Sequence, residues 1–146
     1  MILVPIQENE FPIWREMREC VYESLSSDFH DNEMSLIIRK EDWHCLFIKD
    51  KKNEILGFVE LSSRNVVDGC LSSPVAYIEG LFIRKENRGQ GLGSKSVETI
   101  KAWCKERGFT ELGADTELAN KRAQKFFNSV GFHETFRIVE FCTKIN

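Results

Sequence analysis

Hydrophobic periodicity along the chain points to an α+β fold of about six strands and about four helices, in the order β-α-α-β-β-β-α-β-α-β. The stretch from Tyr77 to Ile83 is largely apolar and rich in β-branched and aromatic residues, as a buried strand would be. It leads into Arg88-Gly89-Gln90-Gly91-Leu92-Gly93, a Gly-rich turn, and then into a helical pattern with Val97, Ile100 and Cys104 on one face. Shorter strands and amphipathic helices flank this unit on both sides. The 146 residues are enough for one core, and they read as a single domain, 1–146, with no repeat, linker or low-complexity segment.

Met1 to Ile6 reads as a short first strand, closed by Pro5 and the polar run Gln7-Glu8-Asn9-Glu10. Phe11-Pro12 opens a helix, because Pro in the first turn lacks only an N–H that would be unpaired there. Trp14, Met17, Val21 and Leu25 recur at three- and four-residue spacing and form its buried face. Ser26 to Asp31 reads as a polar break, and Asp31 or Asn32 could cap a second helix carrying Met34, Leu36, Ile37 and Ile38. Strands follow at Trp43–Ile48 and Glu54–Ser63, joined by a hairpin-type turn at Asp50-Lys51-Lys52-Asn53. A loop with Asp68-Gly69 leads to the central strand, Val75–Ile83. The helix after the Gly turn runs to about Arg107, where Gly108 stops it. Phe109–Ala114 is a strand, Asn120–Val130 a helix ended by Gly131, and Phe132–Ile145 alternates as a long last strand.

Composition narrows the function. A hydrophobic content of 42% and a charged content of 29% are ordinary for a soluble globular protein. No run approaches the ~18 apolar residues of a membrane span. The opening MILVPIQENE lacks the basic region and small-residue cleavage site of a signal peptide. The net charge of -3 argues against nucleic acid as the main partner, since phosphate binding draws on an excess of Lys and Arg. It suits a cationic small molecule better. Cys20, Cys45, Cys70, Cys104 and Cys142 are scattered, with no C-x-x-C pair. Neither a disulfide framework nor a metal site is expected, and the thiols read as free in a reducing, cytoplasmic setting. A nucleophilic thiol would require a His partner, and the sequence alone does not place the side chain of His30, His44 or His133 against a Cys.

A strand, a Gly turn and a helix start make a place to bind phosphate. Glycines let the backbone approach the ligand, free N–H groups point at its oxygens, and the helix dipole adds positive potential. Arg84, Lys85, Arg88 and Lys95 add formal charge. Walker A is excluded because Gly93-Ser94-Lys95 has the wrong order. The dinucleotide fingerprint is excluded because the Gly spacing is too tight and comes late in a short chain. What remains, Arg-x-x-Gly-x-Gly, resembles the pyrophosphate loop of the GNAT N-acetyltransferases, which acetylate amines from acetyl-CoA. Asn120-x-x-Ala123, Phe126-Phe127 and Gly131-Phe132 are similar to that family's last helix and the strand after it. The resemblance implies a GNAT fold with a mixed, mostly antiparallel central sheet, and acetyl-CoA as co-substrate. It places Arg88, Gly89, Gln90, Gly91, Leu92, Gly93 and Ser94 on the pyrophosphate and the backbone of Leu81, Phe82 and Ile83 along the pantetheine. Asn120 would touch the pantetheine arm, a role compatible with capping its helix.

A narrower resemblance spans nearly the whole chain. Trp14-x-x-Met17-Arg18-x-x-x-Tyr22, Ser73-Pro74-Val75, Glu79-Gly80-Leu81-Phe82-Ile83, Ala114 to Asn120, Gly131-Phe132-x-Glu134-Thr135 and Phe141-x-x-Lys144-Ile145 follow in order. Together they are similar to the aminoglycoside 6'-N-acetyltransferases of the homodimeric subgroup. That resemblance implies antibiotic resistance as the activity and a cationic amine as substrate. Tyr22 matches an aromatic that lies against the sugar rings, and Glu79 and Asp115 match two carboxylates that hold the drug. The chain departs from the subgroup at Val66, where a Tyr is usual, and at Phe136, where an acid is usual.

The chemistry needs a positioned thioester, a neutral amine and a donor for the oxyanion. A primary aliphatic amine is mostly protonated at pH 7, so a carboxylate must take its proton, and Asp115 and Glu79 are the candidates. A backbone N–H near Leu81 could serve the oxyanion. Many GNAT members carry a Tyr on the last helix to protonate the thiolate, and this chain has Phe127 there. Two alternatives stay open. One is acetylation of another cationic amine, such as a polyamine, amino sugar or peptide N-terminus. The other is a non-catalytic acyl-CoA-binding module.

Overall fold

The computed structural model describes residues 1–146. The chain divides into two compact units, Met1–Asp115 and Thr116–Asn146. The first contains β1 (Ile2–Pro5), α1 (Phe11–Val21), α2 (Ser27–Ile37), β2 (Trp43–Lys49), β3 (Ile55–Arg64), β4 (Val75–Ile83), α3 (Leu92–Glu106) and β5 (Leu112–Ala114). The second contains α4 (Lys121–Ser129). The strands lie side by side in sequence order, antiparallel except for the parallel pair β4–β5. The mixed, mostly antiparallel sheet and the four helices are therefore as expected, with five strands instead of six.

Strand alternation sets the two faces of the sheet. Cys45 and Phe47 on β2, Phe58 on β3 and Phe82 on β4 join Trp14, Met17, Met34 and Ile37 of α1 and α2 in one buried cluster. The intervening Leu46, Ile48, Val59 and Leu61 face the other way and are equally buried. On that side His44 meets Trp103 of α3 at 4.9 Å between ring centroids, and α3 buries Val97, Ile100 and Cys104, the face its spacing predicts. No helix is long and apolar enough to cross a membrane.

Three expectations are corrected. α1 ends at Val21, so Leu25 lies beyond it. α2 begins at Ser27, capped by the Ser26 side chain, which accepts from Phe29 N at 3.3 Å. The polar run read as a break is its first turns, and His30 within that run is fully buried. The last strand, Phe132–Ile145, is absent, and residues 132–146 form no regular element. A strand's N–H and C=O groups require a neighbouring strand, and the second unit has none to offer.

Candidate active site

The site is built on a bulge in β4. Glu60 of β3 pairs with Gly80 and Leu61 with Ile78, so Glu79 has no partner in the ladder. Such an insertion re-aims a side chain. Here it brings Glu79 to the face that carries Ser62 and Arg64. Ser62 Oγ donates to Glu79 Oε1 at 2.6 Å, Arg64 Nε donates to the same oxygen at 2.8 Å, and Arg64 Nη2 donates to Oε2 at 2.8 Å. Tyr22, just past α1, donates its hydroxyl to the Glu79 carbonyl oxygen at 3.0 Å and so tethers the bulge from the helix side.

Tyr77 lies under Arg64, whose Cζ sits 3.5 Å from the ring centroid. Its hydroxyl donates to Asp115 Oδ2 at 3.0 Å. The ring fits there because the facing residue on β5 is Gly113, where a Cβ would lie 2.7 Å from Tyr77 Cδ2. Burial, then the negative charge of Asp115, hold the Tyr77 phenol above its ordinary pKa, so it stays a donor. Asp115 follows β5 directly and is exposed. The first unit thus brings Tyr22, Glu79 and Asp115 onto one end of the β3–β4–β5 face. Val66 stands in the loop before β4 with its side chain in solvent.

Beneath this cluster lies a buried ion pair. Arg18 of α1 is fully buried, and its Nη1 donates to both carboxylate oxygens of Glu60 at 2.7 and 2.6 Å. Trp14 Nε1 donates to Glu60 Oε2 at 3.0 Å, and Arg18 also reaches Glu33 and His30 Nδ1. Burial pushes the Glu60 carboxyl up to about 7, against the opposing pull of Arg18 and Trp14. The Arg18 Cζ lies 4.8 Å from the Tyr22 ring centroid. Burial is the main cause holding the Tyr22 phenol above its ordinary range, with Glu60 adding to it.

β4 also offers a free edge. β5 pairs only with Ala76, Tyr77 and Ile78, so from Glu79 to Ile83 β4 has β3 on one side and no strand on the other. Unpaired main-chain groups there fit an extended arm that adds like a strand. Beyond that edge, Arg88 Nε donates to the Ile83 carbonyl at 2.8 Å and fixes the loop to the strand. Gly89 and Gly91 have φ of +77° and +74°, the left-handed region that Gly adopts without a Cβ clash. Gly91 is the N-cap of α3, so Leu92, Gly93 and Ser94 form its first turn. Their N–H groups have no carbonyl within the helix to bond, which suits a phosphate. The residues present therefore fit a long cofactor with a phosphate-bearing end. No group of three His, Cys, Asp or Glu is placed to hold a metal.

The second unit holds Asn120, Phe127 and Phe136. Asn120 caps α4, its side-chain oxygen accepting from Ala123 N at 3.0 Å. Phe127 packs edge-on against Phe126 and Phe132, at 5.5 and 5.2 Å between ring centroids. Phe136 is exposed in the irregular stretch after the helix.

A bulged central strand with one free edge, a Gly loop opening a helix and a carboxylate at the next strand's end fit the frame of an N-acetyltransferase. The chain belongs to the Acetyltransferase (GNAT) family, which it matches over residues 11–132. It is 30% identical over 139 residues to the aminoglycoside N(6')-acetyltransferase type 1 of Serratia marcescens, covering 94% of this chain and 95% of that one. It is 31% identical over 142 residues to the protein of the same name from Acinetobacter baumannii, covering 97% of each. Among solved structures it is similar to the aminoglycoside antibiotic 6'-N-acetyltransferase of Acinetobacter baumannii, with a TM-score of 0.82, 30% identity, and coverage of 99% of this chain and 98% of that one. An aminoglycoside N-acetyltransferase solved with a bisubstrate analogue of CoA and acetylneamine shares the fold, with a TM-score of 0.82, 24% identity and coverage of 98% and 97%.

Sequence reasoning did not find Arg64, Ser62 or Tyr77. The signal lay in register: residues two apart on β3, facing a bulge on β4, converge on one carboxylate.

Proposed function

We propose that this protein transfers an acetyl group from acetyl-CoA to the primary amine of a cationic small molecule, with the 6'-amine of an aminoglycoside as the leading substrate and drug resistance as the consequence. The observation that carries this reading is Asp115, an exposed carboxylate directly after Ala114, which pairs with Ile78 beside the free edge of β4. Acetyl-CoA, when bound, supplies an acyl group activated as a thioester. The loop from Arg88 to Ser94 holds the pyrophosphate, and the main chain of Leu81, Phe82 and Ile83 holds the pantetheine.

The acceptor amine arrives protonated, and Asp115 takes the proton directly or through one water. Asp115 is preferred over Glu79 as base because three donors already occupy the Glu79 oxygens. A backbone N–H near Leu81 donates to the acyl oxygen as negative charge builds there. Phe127 has no proton to give, so water or the acylated nitrogen returns one to the departing thiolate. Positioning then carries much of the rate. Tyr22 and Val66 line the acceptor side in this reading. The whole chain acts as one domain, in the cytoplasm, as a homodimer. Exposed Phe136, Phe141 and Ile145, in a stretch with no regular structure, are what a second copy would cover.

The test is thiol release from acetyl-CoA with kanamycin and with a relative carrying a hydroxyl at the 6' position. Release with the first alone is expected. Release with neither, while acetyl-CoA raises the melting temperature, would remove the aminoglycoside and leave another amine as acceptor.

A further inference from the structure

The hydroxyl of Tyr22 is committed to the central strand. It donates to the Glu79 carbonyl oxygen at 3.0 Å, at the residue of β4 that the bulge leaves without a ladder partner. A bulged residue lacks the pairing that fixes its neighbours, so its peptide planes need another anchor. The ring that carries the hydroxyl is itself held. Arg18 Cζ lies 4.8 Å from the ring centroid, and Arg18 is fully buried and bound to both Glu60 oxygens. Gly80 leaves the room: a Cβ there would lie 2.3 Å from Tyr22 Oη, 3.3 Å from its Cζ and 3.6 Å from Glu60 Oε1. Glu60 is also the residue that Gly80 pairs with on β3. Hydroxyl, bulge carbonyl and glycine meet at one point.

The Glu79–Gly80 peptide is trans. In a planar trans peptide the oxygen and the following N–H point in opposite directions. A hydrogen bond that fixes the Glu79 oxygen therefore fixes the Gly80 N–H as well, and sets the course of the chain into Leu81. The Tyr22 ring can line the acceptor side while its hydroxyl serves the backbone, because the two tasks fall on different atoms. We infer that Tyr22 is a positioning residue that, through the Glu79 carbonyl, aims the main-chain N–H near Leu81 at the acyl oxygen, with Gly80 as the glycine that admits its hydroxyl. This inference rests on the acetyltransferase reading above.

The experiment measures kcat and KM by thiol release for the parent, Tyr22→Phe, Gly80→Ala and the double variant, with kanamycin, or with a polyamine if that is the amine accepted. Tyr22→Phe keeps the ring and removes only the hydroxyl. It is expected to lower kcat about tenfold, the scale of one partly buried acceptor left unpaired, with both KM values within about twofold of the parent. Gly80→Ala is expected to lower kcat at least as far, and to cost less once the hydroxyl is absent, because the nearest clash has gone. Tyr22→Phe decides by itself should Gly80→Ala fail to fold. A lower melting temperature with kcat unchanged marks a merely structural hydrogen bond and overturns the inference. So does a raised KM for the amine with kcat unchanged, the sign of a lost acceptor contact, or two substitutions whose costs simply add. Each of these leaves the acetyltransferase reading intact. Absence of thiol release from the parent with either amine, while acetyl-CoA still raises the melting temperature, overturns that reading and the inference with it.

Discussion

Replacing Arg18 with Met is predicted to destabilise the protein by about 3–5 kcal/mol, the usual cost of stranding one partner of a buried ion pair. Met fills most of the volume of the Arg stem, so the cavity term is small. What is lost is the Nη1 contact to both Glu60 oxygens, at 2.7 and 2.6 Å, in a pair whose side chains are 0% and 1% exposed. Glu60 keeps only Trp14 Nε1, at 3.0 Å. For a domain of this length each kcal/mol shifts the melting temperature by about 2–4 °C, so a fall of roughly 6–20 °C is expected. The loss has a pH signature. Glu60 is raised to about 7 by burial, so the folded state binds its proton more tightly than the unfolded chain does. Its contribution to stability therefore declines as pH rises from the ordinary carboxylate range through 7. Without Arg18, the strongest influence lowering that value is gone, and the decline extends to higher pH. Urea unfolding followed by Trp fluorescence should show a larger deficit at pH 8 than at pH 6. The double variant Arg18→Met with Glu60→Met should recover most of the loss, since an apolar pair replaces the stranded charge. A single-variant cost below about 1 kcal/mol, or a deficit independent of pH, would refute the reasoning.

Three further outcomes follow from the site and its supports. Asp115→Asn should lower kcat/KM for the accepted amine by about 10²–10⁴-fold, the range of a lost general base, while acetyl-CoA still raises the melting temperature. Gly91→Ala should cost about 1–2 kcal/mol, because a Cβ is forced into the left-handed region at φ +74°, and calorimetry should show weaker acetyl-CoA binding. Glu111 accepts from Ser72 Oγ and from the N–H groups of Ser72 and Leu71, at 2.6, 2.6 and 2.8 Å, and these donors hold its carboxyl below the usual range. Its contribution is present above the unfolded value and lost as pH falls through the lowered one. Glu111→Ala should therefore melt earlier than the parent at pH 7, with the gap closing in acid.

The central strand was legible from sequence because its composition and its punctuation agree. Val75–Ile83 is apolar, β-branched and bounded by Pro74 and the Gly loop, and β4 has those bounds. The Gly loop was equally plain, since left-handed positions restrict the choice to Gly. Legibility failed where one residue type has two roles. Ser26 to Asp31 is polar enough for a loop, yet it starts α2 with Ser26 as cap. Arg18 falls one position after Met17 on the face that α1 buries, and no periodicity of apolar residues marks an arginine as core. Its partner Glu60 is, like Glu79, an acid within a largely apolar strand, but only the register shows that the two acids end in different settings. Phe132–Ile145 failed differently. Its alternation is real, but pairing is a property of neighbours, and the second unit contains no other strand.

The most direct measurement is the identity of the product. The protein is incubated with acetyl-CoA and kanamycin, and the aminoglycoside is recovered and characterised by mass and NMR spectroscopy. One acetyl group on the 6'-nitrogen, formed in step with thiol release and lost in Asp115→Asn, is the predicted result. Thiol release with the aminoglycoside unmodified, or modification that persists undiminished in Asp115→Asn, would contradict the assignment of the site.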